Sequence, residues 1–156
     1  MLLVATCVGP SDIEGVGVFS ETHIREGTRI WTFDPRVDRC YSRRDVKTAP
    51  AAFRELIERY AYFDTELDGY VLEGDHGRFV NHSLTPNVAF QRGGDGFALV
   101  DIRPGEELVC DYRDFEDSPV MLPSRYAALQ RTHDEALPAV MRRRYAERVE
   151  RHVFGE

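Results

Sequence analysis

Short apolar runs separated by glycine and proline dominate the first 112 residues of this 156-residue chain. β-branched and aromatic side chains fill runs such as residues 28–33 and 107–112, a composition typical of strands. One segment of this region, residues 50–60, instead has apolar residues at helical spacing, with a proline near its first turn. Because strands this short must pack in small sheets, the sequence predicts a mainly β, β-dominated α+β core.

Turn residues and local composition place the other predicted elements. Short strands are also expected at residues 2–8, 70–72 and 78–80, and a hairpin at residues 87–91 and 96–102. Residues 36–49 are polar and charged, and we expect an exposed connection there. Residues 123–133 and 137–153 are rich in Ala, Leu, Arg and Glu, and they predict two C-terminal helices.

Composition and charge narrow the class of protein. The mean hydropathy is -0.41, and no apolar run approaches the ~20 residues that span a bilayer, so no membrane association is expected. Three widely spaced cysteines without a Cys-x-x-Cys pair argue against a disulfide framework or a zinc site. Reduced thiols fit a cytoplasmic location, or a nuclear one in a eukaryote.

The net charge of -7 favours a basic partner and disfavours direct nucleic-acid binding, although solubility alone also explains it. Arg142-Arg143-Arg144 is a basic run within this acidic chain. It fits a solvated helix face; a nucleic-acid patch or a protein-interaction helix are the alternatives.

A Gly-x-Gly pair, Gly15 and Gly17, precedes the predicted β-rich run. The pair permits either a close approach to the backbone or a tight turn before a strand. No third glycine follows at dinucleotide-binding spacing, which excludes a Rossmann fingerprint.

The candidate site residues are polar side chains at the ends of two apolar runs. Asn81 and His82 follow the run Arg78-Phe79-Val80 and precede a turn with Pro86, whereas Tyr112 ends the run that begins at Glu107. We expect these stretches to meet and to form one reaction site. The alternatives are a polar turn, a glycosylation match at Asn81-His82-Ser83, and a tyrosine that caps a buried strand.

Three stretches together resemble one family, the SET-domain protein-lysine methyltransferases of the compact bacterial and viral type. They are Gly15 to Phe19, Arg78 to Ser83 with Pro86-Asn87, and Gly105 to Tyr112. The resemblance implies a fold of several small curved sheets with a knot-like crossing. It also implies a catalytic domain over residues 1–115 and a helical segment, 116–156, that covers the cofactor site.

The resemblance also implies the chemistry: methyl transfer from S-adenosyl-L-methionine to a lysine of a basic protein, such as a histone-like or ribosomal protein. No metal is implied. Tyr112 is the expected catalytic residue. The expected cofactor-binding residues are Val16, Gly17, Arg78, Asn81, His82 and Tyr126, with Phe115 as the alternative to Tyr126. The expected walls of the lysine channel are Phe33, Tyr62, Tyr70 and Phe90, for each of which core packing is the alternative.

Departures from the larger family members refine these expectations. Leu84 stands where many members have a zinc-binding cysteine, and no cysteine cluster follows Tyr112, so residues after 113 are expected to secure the crossing. Phe90 in place of a tyrosine predicts methylation beyond the first step. A catalytically inactive SET-like module that binds peptide or cofactor is the alternative function, and a homodimer is plausible for so compact a core.

Overall fold

The computed structural model describes residues 1–90 and 94–112. In chain order the elements are β1 (Thr6–Pro10), β2 (Val16–Ser20), β3 (Arg29–Trp31), β4 (Arg39–Ser42), α1 (Arg43–Thr48), α2 (Ala51–Tyr60), β5 (Ala61–Asp64), β6 (Gly69–Leu72), a 3₁₀ helix (His76–Phe79), β7 (Asn81–His82), β8 (Val88–Phe90), β9 (Gly96–Ala98) and β10 (Glu107–Cys110). The predicted helices 123–133 and 137–153, with Tyr126 and Phe115, lie outside the described residues.

The strands form three small sheets, in the orders β1-β2-β10-β7, β3-β9-β8 and β4-β6-β5. Their pairings are antiparallel except for that of β10 with β7, which is parallel. This arrangement confirms the predicted mainly β class. In the part of the chain described here, no helix is long and apolar enough to cross a membrane.

Two apolar clusters hold the sheets together. The larger cluster consists of Val18, Ile24, Ile30, Trp31, Val80, Val88, Ala98, Ile102, Leu108 and Cys110. The smaller one lies between α2 and the β4-β6-β5 sheet, centred on Ile57 and Phe63. Ile57 is the fully buried residue of the predicted amphipathic helix, which confirms that helix at Ala51–Tyr60.

Several sequence-based boundaries were wrong. Residues 36–49 form β4 and α1 rather than an exposed connection. Helix α1 buries no residue, so no apolar periodicity in the sequence predicts it. Its start is stabilised by a capping box between Ser42 and Asp45. Residues 78–80 belong to the end of the 3₁₀ helix and its cap rather than to a strand, because the Asp75 side chain accepts the Gly77 N–H and starts the turn. The first strand begins at Thr6 rather than at residue 2.

Strand β10 changes its partner halfway along its length. Glu107 and Leu108 pair with Phe19 and Val18 of β2, whereas Val109 and Cys110 pair with Asn81 and His82 of β7. The two stretches that were predicted to meet are therefore hydrogen-bonded neighbours. β7 is only two residues long, so other groups must stabilise this junction.

The side chain of Asn87 supplies much of that stabilisation. Its Nδ2 donates to the Glu107 carbonyl at 2.7 Å, and its Oδ1 accepts from the Val109 N–H at 2.9 Å. The Asn87 backbone N–H donates to the Val109 carbonyl, and the Ser83 N–H donates to the Cys110 carbonyl. The residues after 113 that were expected to secure the crossing at Leu84 lie outside the described residues.

A buried carboxyl lies beneath the 3₁₀ helix. Glu73 is only 7% exposed, and a Cβ on Gly77 would lie 2.5 Å from its Oε2. Burial, with smaller contributions from Asp75 and Asp38, raises the Glu73 pKa to about 8, and the Met1 amino group acts in the opposite direction. Glu73 is therefore mostly protonated in the folded protein at neutral pH.

We expect Glu73→Gln to stabilise the protein increasingly as pH rises from about 4.5 to 8. The folded-state pKa lies above the ordinary value of 4.5. In this window the unfolded chain releases a proton that the folded chain keeps, so wild-type stability falls by up to about 1.4 kcal/mol per pH unit from this group alone. Urea unfolding of both proteins across this range measures the difference. The exposed Glu66→Gln serves as the matched control, and a difference that does not change with pH would contradict the assignment.

We expect Asn87→Ala to lower the free energy of unfolding by about 2–3 kcal/mol, because it leaves two backbone groups of β10 without their partner. Asn87→Asp should cost at least as much. Its second oxygen would face the Glu107 carbonyl, so the isosteric residue would replace a hydrogen bond by a repulsion. Urea unfolding measures both, with the exposed Thr85→Ala as control. An aspartate variant as stable as wild type would show that the Asn87 side-chain hydrogen bonds to Glu107 and Val109 do not stabilise the protein.

Candidate active site

The amide of Asn81 lies at the point where β10 leaves β2 for β7. This side chain is 7% exposed, and its Nδ2 has four acceptors within 3.2 Å: Ser11 Oγ, the carbonyls of Glu14 and Val16, and Glu107 Oε1. The surrounding atoms are therefore acceptors on one side of the amide. These acceptors engage the amide nitrogen itself, so the amide oxygen lies on the opposite side.

The other predicted glycine-region residues take part in the same junction. The Val16 carbonyl accepts from Asn81, and Gly17 lies directly against the Glu107 side chain. Gly15 has a φ of +51°, a left-handed conformation that favours glycine. The structure thus shows both predicted roles of the Gly-x-Gly pair: Gly15 makes the turn, and Gly17 permits the close approach of the Glu107 side chain.

Tyr112 lies beside this junction. Its hydroxyl donates to the Val80 carbonyl at 2.7 Å, and its backbone N–H donates to His82 Nδ1 at 3.2 Å. Accepting that bond requires an Nδ1 without hydrogen, so the neutral imidazole carries its proton on Nε2. The two rings lie 5.3 Å apart, and Asp111 Oδ1 lies 3.8 Å from Nδ1. The bond from the Tyr112 N–H to His82 thereby fixes the approach of the chain to Tyr112.

Aromatic residues near Tyr112 divide into two groups. Phe33 and Phe90 pack against the same large core as Tyr112, and the Phe90 ring meets Trp31 edge-on at 5.8 Å. Tyr70 packs instead in the small cluster, edge-on to Phe63 at 5.1 Å. The structure therefore brings Phe33 and Phe90, but not Tyr70, to the core that holds Tyr112.

Tyr62 is separated from Tyr70 by the pleat of their sheet. Residues 62 and 63 are consecutive on β5, so their side chains point to opposite faces, and Phe63 shares the face of Tyr70. Tyr62 faces the carboxyls of Glu73, Asp64 and Asp38. Burial and then these charges raise its pKa. The structure therefore does not bring these two tyrosines together, and their roles in the lysine channel stay predictions.

Arg78 takes a peripheral place. It is exposed, and its guanidinium carbon lies 5.0 Å from the centre of the adjacent Phe79 ring. Its expected contact with the cofactor stays a prediction, as does that of Tyr126. The residues that sequence reasoning missed are Ser11 and Glu107, which surround Asn81. One signal was present: Glu107 is an acid that opens an otherwise apolar strand.

Among residues 1–90 and 94–112, no group of three or more His, Cys, Asp or Glu side chains could hold a metal ion. What this part of the chain offers is an amide with a ring of acceptors, a phenol held on a carbonyl, and an aromatic surround.

Comparison with known proteins identifies the architecture. Solved structures with the same fold include polycomb repressive complex 2 from Chaetomium thermophilum, in a humanized mutant bound to the inhibitor GSK126 (TM-score 0.56, 23% identity, 74% of this chain and 16% of that chain). Another is a Plasmodium falciparum protein described as a candidate histone methyltransferase (TM-score 0.52, 21% identity, 71% of this chain and 95% of that chain).

The chain thus spans 16% of the length of the polycomb chain, and at these identities the likeness shows the fold alone. A search of curated protein sequences gave no match. The model of the SET domain, in contrast, matches residues 15–113, which include the glycine pair, Asn81-His82 and Tyr112. The chain belongs to the SET-domain family.

Proposed function

We propose that this SET domain transfers a methyl group from S-adenosyl-L-methionine to the side-chain amine of a lysine in a basic protein. The observation that carries the proposal is the hydroxyl of Tyr112, held on the Val80 carbonyl beside Asn81 and His82. Membership of the SET-domain family supports it, as do structural neighbours that are described as histone methyltransferases.

The amide of Asn81 fits the ammonium group of a cofactor. Two backbone carbonyls, a hydroxyl and a carboxylate hold its Nδ2, so its Oδ1 is the atom that can accept from that group. When bound, S-adenosyl-L-methionine supplies an electrophilic methyl group on a positively charged sulfur. Asn81 and His82, with the backbone of Val16 and Gly17, would hold it. A helical segment from residues 116–156 that covers the cofactor is part of the same proposal.

The amine must reach its neutral form before it can attack. A free lysine has a pKa of about 10.4, so deprotonation at pH 7.5 costs roughly 4 kcal/mol. Phe33 and Phe90 border the core at Tyr112, and an aromatic surround of this kind desolvates an amine and lowers its pKa. The Tyr112 hydroxyl donates to the Val80 carbonyl, and in this proposal its oxygen accepts a hydrogen from the amine.

We expect Tyr112→Phe to lower kcat for methyl transfer by about 10²–10³-fold, because a positioned polar group at a reaction centre contributes on this scale. Cofactor affinity should change less than about threefold, since the ring and its packing remain. Transfer of label from the cofactor to a panel of basic proteins measures the effect.

Tyr41→Phe, in the smaller cluster, is the matched control for the loss of a hydroxyl. Equal transfer by wild type and Tyr112→Phe would refute the role of the phenol. A wild type that binds the cofactor and transfers nothing to any basic protein would favour a SET-like binding module instead.

We expect the wild type to add more than one methyl group to the target lysine, and Phe90→Tyr to shift the product toward monomethyl-lysine. A phenol hydroxyl would restrain an amine that the phenylalanine ring leaves free to rotate. Mass spectrometry of the methylated protein at full conversion distinguishes the products. Only monomethyl-lysine from wild type would contradict this assignment.

A further inference from the structure

The side chain of Glu107 connects three separate segments of the chain. Its carboxylate accepts from Ser11 Oγ at 2.9 and 3.0 Å and from Asn81 Nδ2 at 2.8 Å. It also lies against Gly17, where an added Cβ would be 2.6 Å from the carboxyl carbon. Glu107 thus contacts the loop before β2, β2 itself and β7 from the first position of β10.

This contact fixes which way the Asn81 amide faces. All four neighbours of Nδ2 are hydrogen-bond acceptors, so a flipped amide would place its oxygen against them. The Glu107 carboxylate contributes most to this preferred orientation of the amide, since hydrogen bonds to charged groups are stronger than those between neutral groups. On the opposite side, Asn81 Oδ1 accepts no hydrogen bond from the residues that the structure describes, which leaves it for a donor from a ligand.

We infer that Glu107 is a positioning residue: it holds the Asn81 amide so that Oδ1 accepts from the ammonium group of the cofactor's methionine part. This inference rests on the proposed function, because it takes S-adenosyl-L-methionine as the ligand. Glu107 touches the cofactor only through Asn81. Ser11 assists by holding the carboxylate with two contacts.

The same geometry explains why residue 17 has no side chain, apart from any contact of its backbone with the cofactor. A methyl group at this position would collide with the Glu107 carboxylate and with the Ser11 Cβ, which is 3.1 Å from the added atom. Gly17 is therefore required by Glu107, and a substitution at Gly17 acts by displacing that side chain.

Calorimetric binding of two ligands tests the inference. S-adenosylhomocysteine carries the methionine-derived ammonium group, whereas methylthioadenosine lacks it. Glu107→Ala should weaken S-adenosylhomocysteine binding by roughly 10- to 100-fold and leave methylthioadenosine binding within about twofold. Glu107→Gln should restore most of the affinity, because its Oε1 can still accept from Asn81. Glu106→Gln, on the neighbouring exposed turn, is the control and should change neither affinity.

A double-mutant cycle separates the two roles of Gly17. Gly17→Ala should weaken S-adenosylhomocysteine binding as Glu107→Ala does, and the double variant should be no worse than Glu107→Ala alone. A further loss in the double variant would mean that a Cβ at residue 17 disturbs the ligand itself, which overturns the explanation given for the missing side chain.

The binding results also separate a failure of the proposed function from a failure of the inference about Glu107. A wild type that binds neither ligand would refute the proposed function together with the inference. A wild type that binds both, with Glu107→Ala equal to it or weakened equally for both ligands, would refute the inference and leave the function standing. If Glu107→Ala does not fold, Ser11→Ala replaces it. Ser11→Ala should selectively weaken S-adenosylhomocysteine binding about threefold to tenfold, and unchanged binding would count against the inference.

Discussion

The partner change of β10 is the constraint on which the rest of the molecule depends. A strand that pairs with β2 over two residues and with β7 over the next two leaves a gap at the change, where backbone groups lack regular partners. Asn87 fills this gap with its side-chain amide, which offers the same donor and acceptor as a peptide group. The amide of Asn81 lies beside it and bonds the carbonyls of Glu14 and Val16. The site is built there because this is where polar groups are obligatory inside an apolar core.

Much of this arrangement could be predicted from the sequence. The stretches that carry Asn81-His82 and Tyr112 were correctly expected to meet, although β7 is Asn81–His82 itself rather than residues 78–80, and the spacing of residues 50–60 predicted α2. Helix α1 could not be found in the same way, because its stability comes from a capping box and exposed side chains rather than from a buried stripe. Strand β5 directly follows α2, so no turn residue marks its beginning.

The function of individual side chains was harder to predict than their location. Asn81 was expected to face a ligand, yet its nitrogen is committed to the protein and its oxygen alone is left for a donor. Tyr62 and Tyr70 were equivalent in sequence terms but lie on opposite faces of a sheet, which only the register of β5 and β6 reveals. Patterns of residue type indicate which residues are buried together; they do not indicate which atom of each residue is used.

The order of strands in the β1-β2-β10-β7 sheet has a consequence for biosynthesis. The residues of the site come from positions 11–17, 81–82 and 107–112, and strand β10 lies between the two earlier segments. Strands β2 and β7 therefore have no common partner until β10 has left the ribosome, and closing so long a loop is entropically slow. The larger apolar cluster, which includes Leu108 and Cys110, stays incomplete during that interval, so chaperone demand should depend on the arrival of β10.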